Sequence, residues 1–558
     1  MTGILLLWLA LSPVQAHSGK QFSVDQQQVL HHEAFPASSG NAQLVRNLPE
    51  TIRTLIRENG DKMQLNPHLN QFYAARRYQT VWTRPEMVSE LLSAIEGASA
   101  DGLDPLDYHQ KEISELVAAF PLTIEKQALY DVLLSDACLT LASHLHTGKL
   151  DPARIESTWN LKNDVANSIV EYKLQAALAA NRVGAVMQEL RPQRQPYADM
   201  KKALSRYRSI EKSGGWPSIP EGPSIKPGDR DSRVLFLRKR LAATGELVSG
   251  VQDTSKVYGA DLTDAVRQFQ KHNGMEPDGV VGSGTLKALN VPVDRRIDQL
   301  RINLERYRWF LNDLGPTYIL VNIPEFSLKY VDNGTKLWST RVIVGKPARE
   351  TPVFKADMQY VIFNPQWVIP PTILEKDALP SLRKNAGYLQ QKKLRVIDRD
   401  GRVVDPASVN WGEYSASNFP YRLQQSAGDH GSLGRIKFML PNRYIVYLHD
   451  TPSKDLFQKT TRTFSSGCIR VENPLDLAQL VLRDSVRWNA GTIRSVINKG
   501  RTSTAFLPKR IPVYILYLTA IPSGDELFFR EDVYNRDNAL LKALNRHVPG
   551  LQNGRVGL

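Results

Sequence analysis

The chain has 558 residues, of which 42% are hydrophobic and 23% are charged, so it can bury the cores of several domains. Its mean hydropathy of −0.33 excludes a polytopic membrane protein. With 35 Gly and 33 Pro, it is neither collagen-like nor wholly disordered. The net charge of +14 favours polyanionic partners, namely nucleic acid, an anionic membrane surface or an anionic wall polymer, and does not choose among them.

Residues 1–16 have the shape of a secretory signal peptide. An apolar stretch from Ile4 to Leu11 precedes Pro13, and Val14 and Ala16 place small residues before a cut after Ala16. The first residues lack Lys and Arg, so an uncleaved anchor and a misassigned start codon stay as alternatives. The stretch is far shorter than the roughly 20 residues that span a bilayer. We therefore predict an exported protein with no transmembrane segment after signal removal.

The two cysteines, Cys138 and Cys468, are too few for a disulfide framework. Cys138 lies in the apolar helical run Leu133–Leu141, which is typical of a buried thiol. A single bridge between the two cysteines is the alternative. An unpaired cysteine is disfavoured in an oxidising compartment unless it has a function. The pattern therefore favours a functional Cys468.

Helical patterns dominate the first half of the chain. After a Gln-, Ser- and His-rich lead at 17–42, residues 43–228 show apolar residues at three- and four-residue spacing and end in a Gly/Pro-rich stretch. A compact unit follows at 229–293, with an Asp278-Gly-Val-Val-Gly282 turn between helical stripes. Residues 294–314 predict one amphipathic helix that returns to the earlier helical region, which makes the compact unit an insertion.

The pattern then changes to β structure at residues 315–500, and residues 501–558 are predicted to complete that domain. Asn333-Gly334 is a strong hairpin signal between two of the predicted strands. The predicted strands are Tyr318–Asn322, Ser327–Val331, Trp338–Val344, Tyr360–Phe363, Tyr444–Leu448 and Val513–Leu518. The long interval from 370 to about 430 is interpreted as a lid or a disordered loop.

The candidate catalytic residues lie in two nearby segments. An apolar predicted strand ends at His449, and Cys468 follows further along the chain, directly after two serines and Gly467. A cysteine nucleophile needs a base, backbone N–H donors for the oxyanion and open access. His449 can supply the base, and the backbone around Gly467 can supply the donors. The alternatives are a buried thiol and a strand-capping histidine. Downstream, Asn473-Pro474 predicts the N-cap and first residue of a helix that continues to Leu482.

The segments His449-Asp-Thr-Pro and Ser465-Ser-Gly-Cys-Ile-Arg-Val471 resemble the catalytic signature of the L,D-transpeptidases. Residues 344–352, 363–372 and 433–438 resemble further segments of that catalytic domain. The stretch 265–290 is similar to the peptidoglycan-binding three-helix module, and a purely structural helical unit is its alternative. The order of the parts resembles the large periplasmic L,D-transpeptidases of Gram-negative bacteria.

This resemblance implies an α+β multidomain fold. It comprises a helical scaffold with an inserted three-helix peptidoglycan-binding module, followed by a mainly-β catalytic domain whose capping loop falls at about 370–422. It implies a nucleophile in Cys468, a general base in His449, an orienting carbonyl in Asp450 and oxyanion donors in the N–H groups of Gly467 and Cys468. Further pocket residues are Ser465, Ser466, Arg470, Tyr447 and Trp367. Arg470 either pairs with a substrate carboxylate or braces its loop, and a core role is an alternative for Tyr447 and Trp367.

The implied reaction is the formation of 3→3 peptidoglycan cross-links through a cysteine thioester, with a tetrapeptide stem as donor and D-Ala released. The implied partners are stem peptides and glycan, with a wall-synthesis partner protein left open, and neither nucleic acid, a metal nor a cofactor is expected. Sequence leaves three alternatives. These are an L,D-carboxypeptidase, a lipoprotein-anchoring transpeptidase on the same fold, and a non-catalytic peptidoglycan-binding scaffold.

Overall fold

The structure is a computed structural model that describes residues 42–60, 65–161, 164–248, 254–385 and 387–547. The predicted signal peptide at 1–16, and all but the last residue of the predicted lead at 17–42, lie outside the described residues. None of the helices in the described ranges has the length and apolar character needed to cross a membrane.

The region from 42 to 212 is helical, as predicted from its apolar spacing. The long helix α5 (Ile124–Thr147) runs through the core of this region. Asp131 on α5 is buried and accepts hydrogen bonds from Tyr73 Oη (2.6 Å) and Trp82 N (3.0 Å). Cys138 lies on the same helix and is buried, as predicted. The helices are α1 Ala42–Asn59, α2 Leu69–Ala74, α3 Pro85–Gly97, α4 Gln110–Ala118, α5 Ile124–Thr147, α6 Pro152–Ile155, α7 Asp164–Ala180, α8 Val183–Leu190 and α9 Gln195–Lys212.

A small helical unit with its own apolar core follows, formed by α10 (Val234–Thr244), α11 (Ala260–His272) and α12 (Ser283–Leu289). Its glycine turn is held by a buried amide. Gln270 Oε1 accepts from Gly279 N (2.8 Å), and Gln270 Nε2 donates to Asp278 Oδ1 (2.8 Å). Gly279 has a φ of +77°, a conformation that favours glycine. The Phe-Gln and Asp-Gly elements of the sequence pattern therefore form one clamp.

Helix α13 (Val293–Phe310) returns to α9 and joins the helical region to the β domain. Its predicted apolar stripe is buried, but so are charged side chains on its other faces. Arg308 and Glu305 form an ion pair at 2.5 Å with both side chains fully buried, and Arg308 Nη1 also donates to Tyr197 Oη (2.9 Å). The helix is thus enclosed rather than amphipathic, because protein packs against it from both sides.

Within the described ranges nine strands form one sheet, and the pairings of eight of them return to the starting strand as a closed ring. The strands of the chain are β1 Tyr318–Asn322, β2 Ser327–Asp332, β3 Thr335–Gly345, β4 Phe354–Phe363, β5 Trp367–Val368, β6 Leu394–Ile397, β7 Val403–Val404, β8 Arg422–Gln425, β9 Ile436–Met439, β10 Leu448–His449, β11 Thr463–Ser465, β12 Ile469–Val471, β13 Ser503–Leu516, β14 Ala520–Ser523 and β15 Glu526–Phe529. The order in the nine-stranded sheet is β11-β3-β12-β10-β9-β4-β13-β1-β2, and β2 pairs again with β3.

The Asn333-Gly334 hairpin is confirmed, since both residues have positive φ (48° and 78°) between β2 and β3. The predicted strand at 444–448 is wrong for most of its length, because only Leu448 and His449 form β10. Asn442 Oδ1 accepts from Tyr444 N (3.0 Å) and Val446 N (3.2 Å), which bends the preceding residues into a turn.

The remaining helices of this region lie around the sheet. They are α14 Pro371–Ile373, α15 Leu379–Lys384, α16 Tyr388–Gln391, α17 Pro474–Leu482, α18 Ala490–Asn498 and α19 Asp537–Leu544. Pro474 begins α17 as predicted, but the Asn473 side chain does not cap it. Asn473 Nδ2 instead donates to Thr340 Oγ1 (3.2 Å), which ties the start of the helix to β3.

Residues 366–385 and 387–425, here called the cap, form a folded unit that is neither a simple loop nor a disordered one. Strands β5, β8, β6 and β7 form a separate sheet, and a π-helical turn at Leu374–Ala378 connects α14 to α15. The cap has its own apolar core, which includes Leu379, Leu382 and Val396. The prediction of an irregular loop missed this core because its apolar residues are spread over many short elements.

Candidate active site

Two parallel strand ends bring the sequence-predicted residues together. Strand β10 pairs with β12, with Leu448 opposite Ile469 and His449 opposite Arg470. Successive side chains of a strand point to opposite faces, and Leu448 and Ile469 are buried in the core. The other face therefore carries the neighbouring side chains Tyr447, His449, Cys468 and Arg470.

This face forms one wall of a cavity of about 550 Å³, and the cap forms the opposite wall. From the side of the closed sheet, here called the barrel, the lining includes Tyr447, His449, Ser465, Ser466, Gly467, Cys468 and Arg470. From the cap side it includes Trp367, Thr372, Asp377, Ser381, Tyr388 and Lys392. Eight of the nine predicted site residues thus line one cavity, and the ninth, Asp450, follows His449 directly.

His449 is buried and has a fixed orientation. Its Nδ1–H donates to the carbonyl oxygen of Asp450 at 2.5 Å, so the lone pair of the neutral ring is on Nε2. Burial, followed by the charge of Arg470, lowers the pKa of His449 to about 3. The imidazole is therefore neutral near pH 7 and able to accept a proton.

The Asp450 carboxylate holds the neighbouring loop. Oδ2 accepts from Arg435 N (2.8 Å), and Oδ1 accepts from Thr451 N (2.8 Å) and from Lys454 Nζ (2.5 Å). A side chain at Gly434, whose φ is +58°, would overlap this carboxylate. Gly434 thus allows the loop to close over Asp450.

Cys468 is partly exposed, and its Sγ lies 3.8 Å from the carbonyl oxygen of Ile445. Burial raises the pKa of the thiol, while hydrogen bonds from Tyr447 and the charges of Lys437 and Arg470 oppose that rise. Within the described residues no hydrogen bond joins Cys468 to His449. Such contacts often form only when substrate binds, and the resting site contains a neutral thiol beside a neutral imidazole.

The turn before Cys468 is closed by its own side chains. Ser465 Oγ donates to Cys468 O (2.5 Å) and accepts from Gly467 N (3.1 Å), and Gly467 has a φ of +113°. The Gly467 N–H is therefore already engaged, which corrects the expectation that it is open to an oxyanion. Ser465 is buried in this turn, so its contacts are structural. The Cys468 N–H has no hydrogen-bond partner in the described part of the chain.

Three family models match the chain in successive segments. Residues 67–204 match a "Scaffold domain", residues 230–289 a "Putative peptidoglycan binding domain", and residues 316–514 an "L,D-transpeptidase catalytic domain". These matches confirm the resemblance found in the sequence.

Two curated proteins are similar to this chain. A "Putative L,D-transpeptidase" of Haemophilus influenzae is 26% identical over 504 residues, which is 87% of this chain and 82% of the relative. The "N-acetylmuramoyl-L-alanine amidase CwlM" of Mycobacterium tuberculosis is 35% identical over 80 residues, which is 13% of this chain and 20% of that protein.

Two solved L,D-transpeptidase structures also match. The protein from Xylanimonas cellulosilytica (residues 123–326) is 15% identical, covers 53% of this chain and 99% of its own, and has a TM-score of 0.17. The protein from Stackebrandtia nassauensis is 13% identical, covers 54% and 96%, and has a TM-score of 0.20. Because these TM-scores are low, the resemblance to L,D-transpeptidases rests on the sequence matches alone.

Four further predicted residues have distinct positions in the β domain. Arg470 lines the cavity, has no ion-pair partner among the described residues, and leaves a buried Nε without a hydrogen bond. Trp367 and Tyr447 line the cavity together with Cys468, and Tyr447 O accepts from Ile469 N (3.1 Å). Ser466 is exposed, and its Oγ accepts from Arg349 Nη1 (3.2 Å).

Sequence reasoning missed three residues that lie at or next to this site. Arg349 forms a two-point ion pair with Asp377 of the cap, in which Nη2 lies 2.6 Å from Oδ1. Lys437 lies opposite His449 on β9. The signal for Lys437 was a lysine in a short, otherwise apolar strand, whereas no local pattern pairs Arg349 with a residue of the cap.

Proposed function

We propose that this protein is a periplasmic cysteine L,D-transpeptidase that forms 3→3 peptidoglycan cross-links. The observation that carries the proposal is that Cys468 and His449 line one cavity, beneath the cap, inside the matched catalytic domain. The unpaired Arg470 adds a positive group to that cavity, which suits the carboxylates of a stem peptide.

In the first half-reaction, Cys468 attacks the carbonyl of the third stem residue, a diaminopimelate, in a tetrapeptide donor. His449 Nε2 accepts the thiol proton as the C–S bond forms. The Cys468 N–H is the candidate donor to the oxyanion. Collapse of the tetrahedral intermediate breaks the C–N bond, and the imidazolium returns the proton to the departing D-Ala amine. The product is a thioester.

In the second half-reaction, the side-chain amine of another diaminopimelate attacks the thioester carbonyl. His449 accepts the amine proton and then gives it to the leaving Cys468 sulfur, so the resting thiol and neutral imidazole are restored. Water in place of the amine would make the enzyme a carboxypeptidase, and a lipoprotein lysine would make it an anchoring enzyme. All three acceptors require the same acyl-enzyme.

The other domains support a wall substrate. The small helical unit at 230–289 matches a peptidoglycan-binding family, and the net charge of +14 suits an anionic wall. We propose domain limits of 43–228 for the scaffold, 229–293 for the module, 294–314 for the connecting helix, 315–500 for the catalytic domain and 501–558 for its C-terminal part. Export by the signal peptide at 1–16 belongs to the same proposal.

The test is intact-protein mass spectrometry of the mature chain after incubation with a disaccharide-tetrapeptide. Cys468→Ala is run in parallel, and Cys138→Ala serves as the matched control. We expect an adduct with the mass of the donor minus D-Ala, together with cross-linked dimer, in the wild type and in Cys138→Ala only.

The outcomes separate the alternatives. Tripeptide without dimer would assign water as the acceptor, and dimer would assign the diaminopimelate amine. Neither adduct nor product, with the chain still bound to sacculi, would overturn Cys468 as nucleophile and favour a binding scaffold. An adduct in Cys468→Ala would equally contradict the proposal.

A further inference from the structure

Lys437 faces the same side of the sheet as the proposed base. Strands β9 and β10 are antiparallel, and Lys437 lies directly opposite His449. Directly opposed side chains share a face of the sheet. The Lys437 Nζ lies 3.7 Å from the ring centroid of Tyr447, within the range of a cation–π contact.

The Lys437 ammonium differs from two other lysines of the β domain because it has no counter-charge among the described residues. Lys454 pairs with Asp450 at 2.5 Å, and Lys355 pairs with Asp313 at 2.7 Å. Lys437 makes no ion pair with any residue that the structure describes. A half-buried ammonium without a counter-charge is costly, so a negative charge that forms nearby is stabilised by it.

The Tyr447 ring connects Lys437 to the nucleophile. The ring carries the ammonium over its face and lines the same cavity as Cys468. Ile469 N donates to Tyr447 O (3.1 Å), which places Tyr447 next to the strand segment that begins after the nucleophile. The edge of the Tyr447 ring also meets the His449 ring, with centroids 5.6 Å apart. A shift of Tyr447 would therefore disturb both members of the proposed catalytic pair.

We propose that Lys437 is a positioning residue of the transfer site, which fixes the Tyr447 ring against Cys468 and stabilises the negative charge that forms on the sulfur. This inference rests on the proposed function only in taking Cys468 as the nucleophile. The role differs from that of Arg470, because Arg470 lines the cavity and is open to substrate, whereas Lys437 is not among the lining residues. The charge of Lys437 thus stays available when a substrate carboxylate occupies Arg470.

Other charged and titratable groups face Cys468 and set the background for a test. The groups that line the cavity with Cys468 are Tyr444 and Tyr447 before β10, His449 on β10, Arg470 on β12, and Asp377, Tyr388 and Lys392 of the cap. Burial lowers the pKa of Lys437, while the Cys468 thiolate raises it, in agreement with mutual stabilisation of the two charges. None of these other groups is changed in the variants below.

The experiment measures the rate at which iodoacetamide alkylates Cys468 in the full-length protein between pH 6 and 10, resolved by peptide mass spectrometry. Lys437→Met removes the charge and keeps an unbranched apolar side chain. Lys437→Arg keeps the charge. Lys355→Met is the matched control, because Lys355 is also a strand lysine over a tyrosine ring (Tyr514, 5.1 Å) but lies outside the cavity.

We expect Lys437→Met to move the alkylation profile to higher pH and to slow the reaction at pH 8 about fivefold, since one pKa unit changes the thiolate fraction roughly tenfold. Lys437→Arg and Lys355→Met should stay within about twofold of wild type. An unchanged profile in Lys437→Met would overturn the inference. Equal slowing in Lys437→Met and Lys437→Arg would also overturn it, because packing rather than charge would then be responsible.

A second readout keeps this inference distinct from the proposed function. Alkylation requires no peptidoglycan, so it reports on Lys437 even if no transfer is observed. Where the wild type does transfer, Lys437→Met should lower kcat about tenfold with little change in KM. A rise in KM with unchanged kcat would instead make Lys437 a substrate-binding residue and contradict the positioning role.

Discussion

The helical core around α5 and the cavity beneath the cap contain almost the same chemical groups in different surroundings. Helix α5 carries Cys138 and His144, and the cavity contains Cys468 and His449. Burial lowers the pKa of both histidines to about 3. Burial raises the pKa of Cys138 to about 12, with only Arg76 opposing it. Burial also raises the pKa of Cys468, but two cations and the hydrogen bonds of Tyr447 oppose that rise.

The comparison shows that a cysteine and a histidine do not make a reactive site by themselves. Cys138 is buried among apolar helical residues, whereas Cys468 is partly exposed in a cavity next to unpaired cations. Charge and access, rather than the presence of the two residues, separate the two regions.

The sharpest test of this difference is to remove each thiol in turn. We expect Cys468→Ala to lower transfer by at least about 10⁴-fold, as loss of a covalent nucleophile does in other enzymes. Cys138→Ala should leave turnover within about twofold and lower the unfolding temperature instead, because it leaves a small cavity in a packed core. Steady-state assays and thermal unfolding of both variants check this. Equal loss of activity in both would remove the distinction.

The two histidines predict a shared acid sensitivity. An unfolded histidine titrates near 6.5, so the unfolded chain binds more protons than the folded chain between about pH 6.5 and 3. Stability is therefore complete above about pH 6.5 and falls on acidification, by up to about 1.4 kcal/mol per pH unit for each group. His449→Gln and His144→Gln should each flatten the decline of the unfolding midpoint from pH 7 to 4.

The exposed His68 provides the control for that measurement, since its side chain is 48% exposed. His68→Gln should keep the full slope. An unchanged slope in both His449→Gln and His144→Gln would contradict the neutral, buried state of these rings. Only His449→Gln should also lower transfer, by about 10²–10⁴-fold for loss of a general base.

The smallest expected effect concerns the access that distinguishes the cavity. Arg349 and Asp377 form the ion pair that links the barrel to the cap. Arg349→Met or Asp377→Asn should loosen the cap and speed alkylation of Cys468 about twofold to fivefold, with no change at Cys138. Arg402→Met, which removes an exposed ion pair within the cap, is the control. Slower alkylation in the first two variants would show that the pair aids access instead.

The sequence predicted the parts of this molecule that depend on local patterns. The helical spacing, the Asn333-Gly334 hairpin and the apolar strands β1, β2 and β3 all formed near their predicted limits. The signature around His449 and Cys468 also predicted the segments that meet at the cavity. Local patterns succeed here because strand alternation and turn chemistry act over a few residues.

The remaining features depend on contacts between distant segments. The sequence predicts an amphipathic helix at 294–314, yet Glu305 and Arg308 of α13 pair inside a polar junction that only the tertiary fold creates. Asn442 bends a stretch whose apolar composition predicts a strand. The engagement of the Gly467 N–H by Ser465 depends on one turn conformation, and sequence does not fix it.

The small helical unit is inserted between α9 and α13, and these two helices pack against each other. It also contacts the β14–β15 hairpin, where Arg530 Nη1 donates to His272 O (3.0 Å). A domain joined by one linker can swivel freely, whereas two neighbouring attachment points and a third contact restrict it to small rocking motions. A wall strand held by this unit would therefore approach the Cys468 thiol from a nearly constant direction. The restricted orientation would limit which neighbouring stem peptides can reach that thiol.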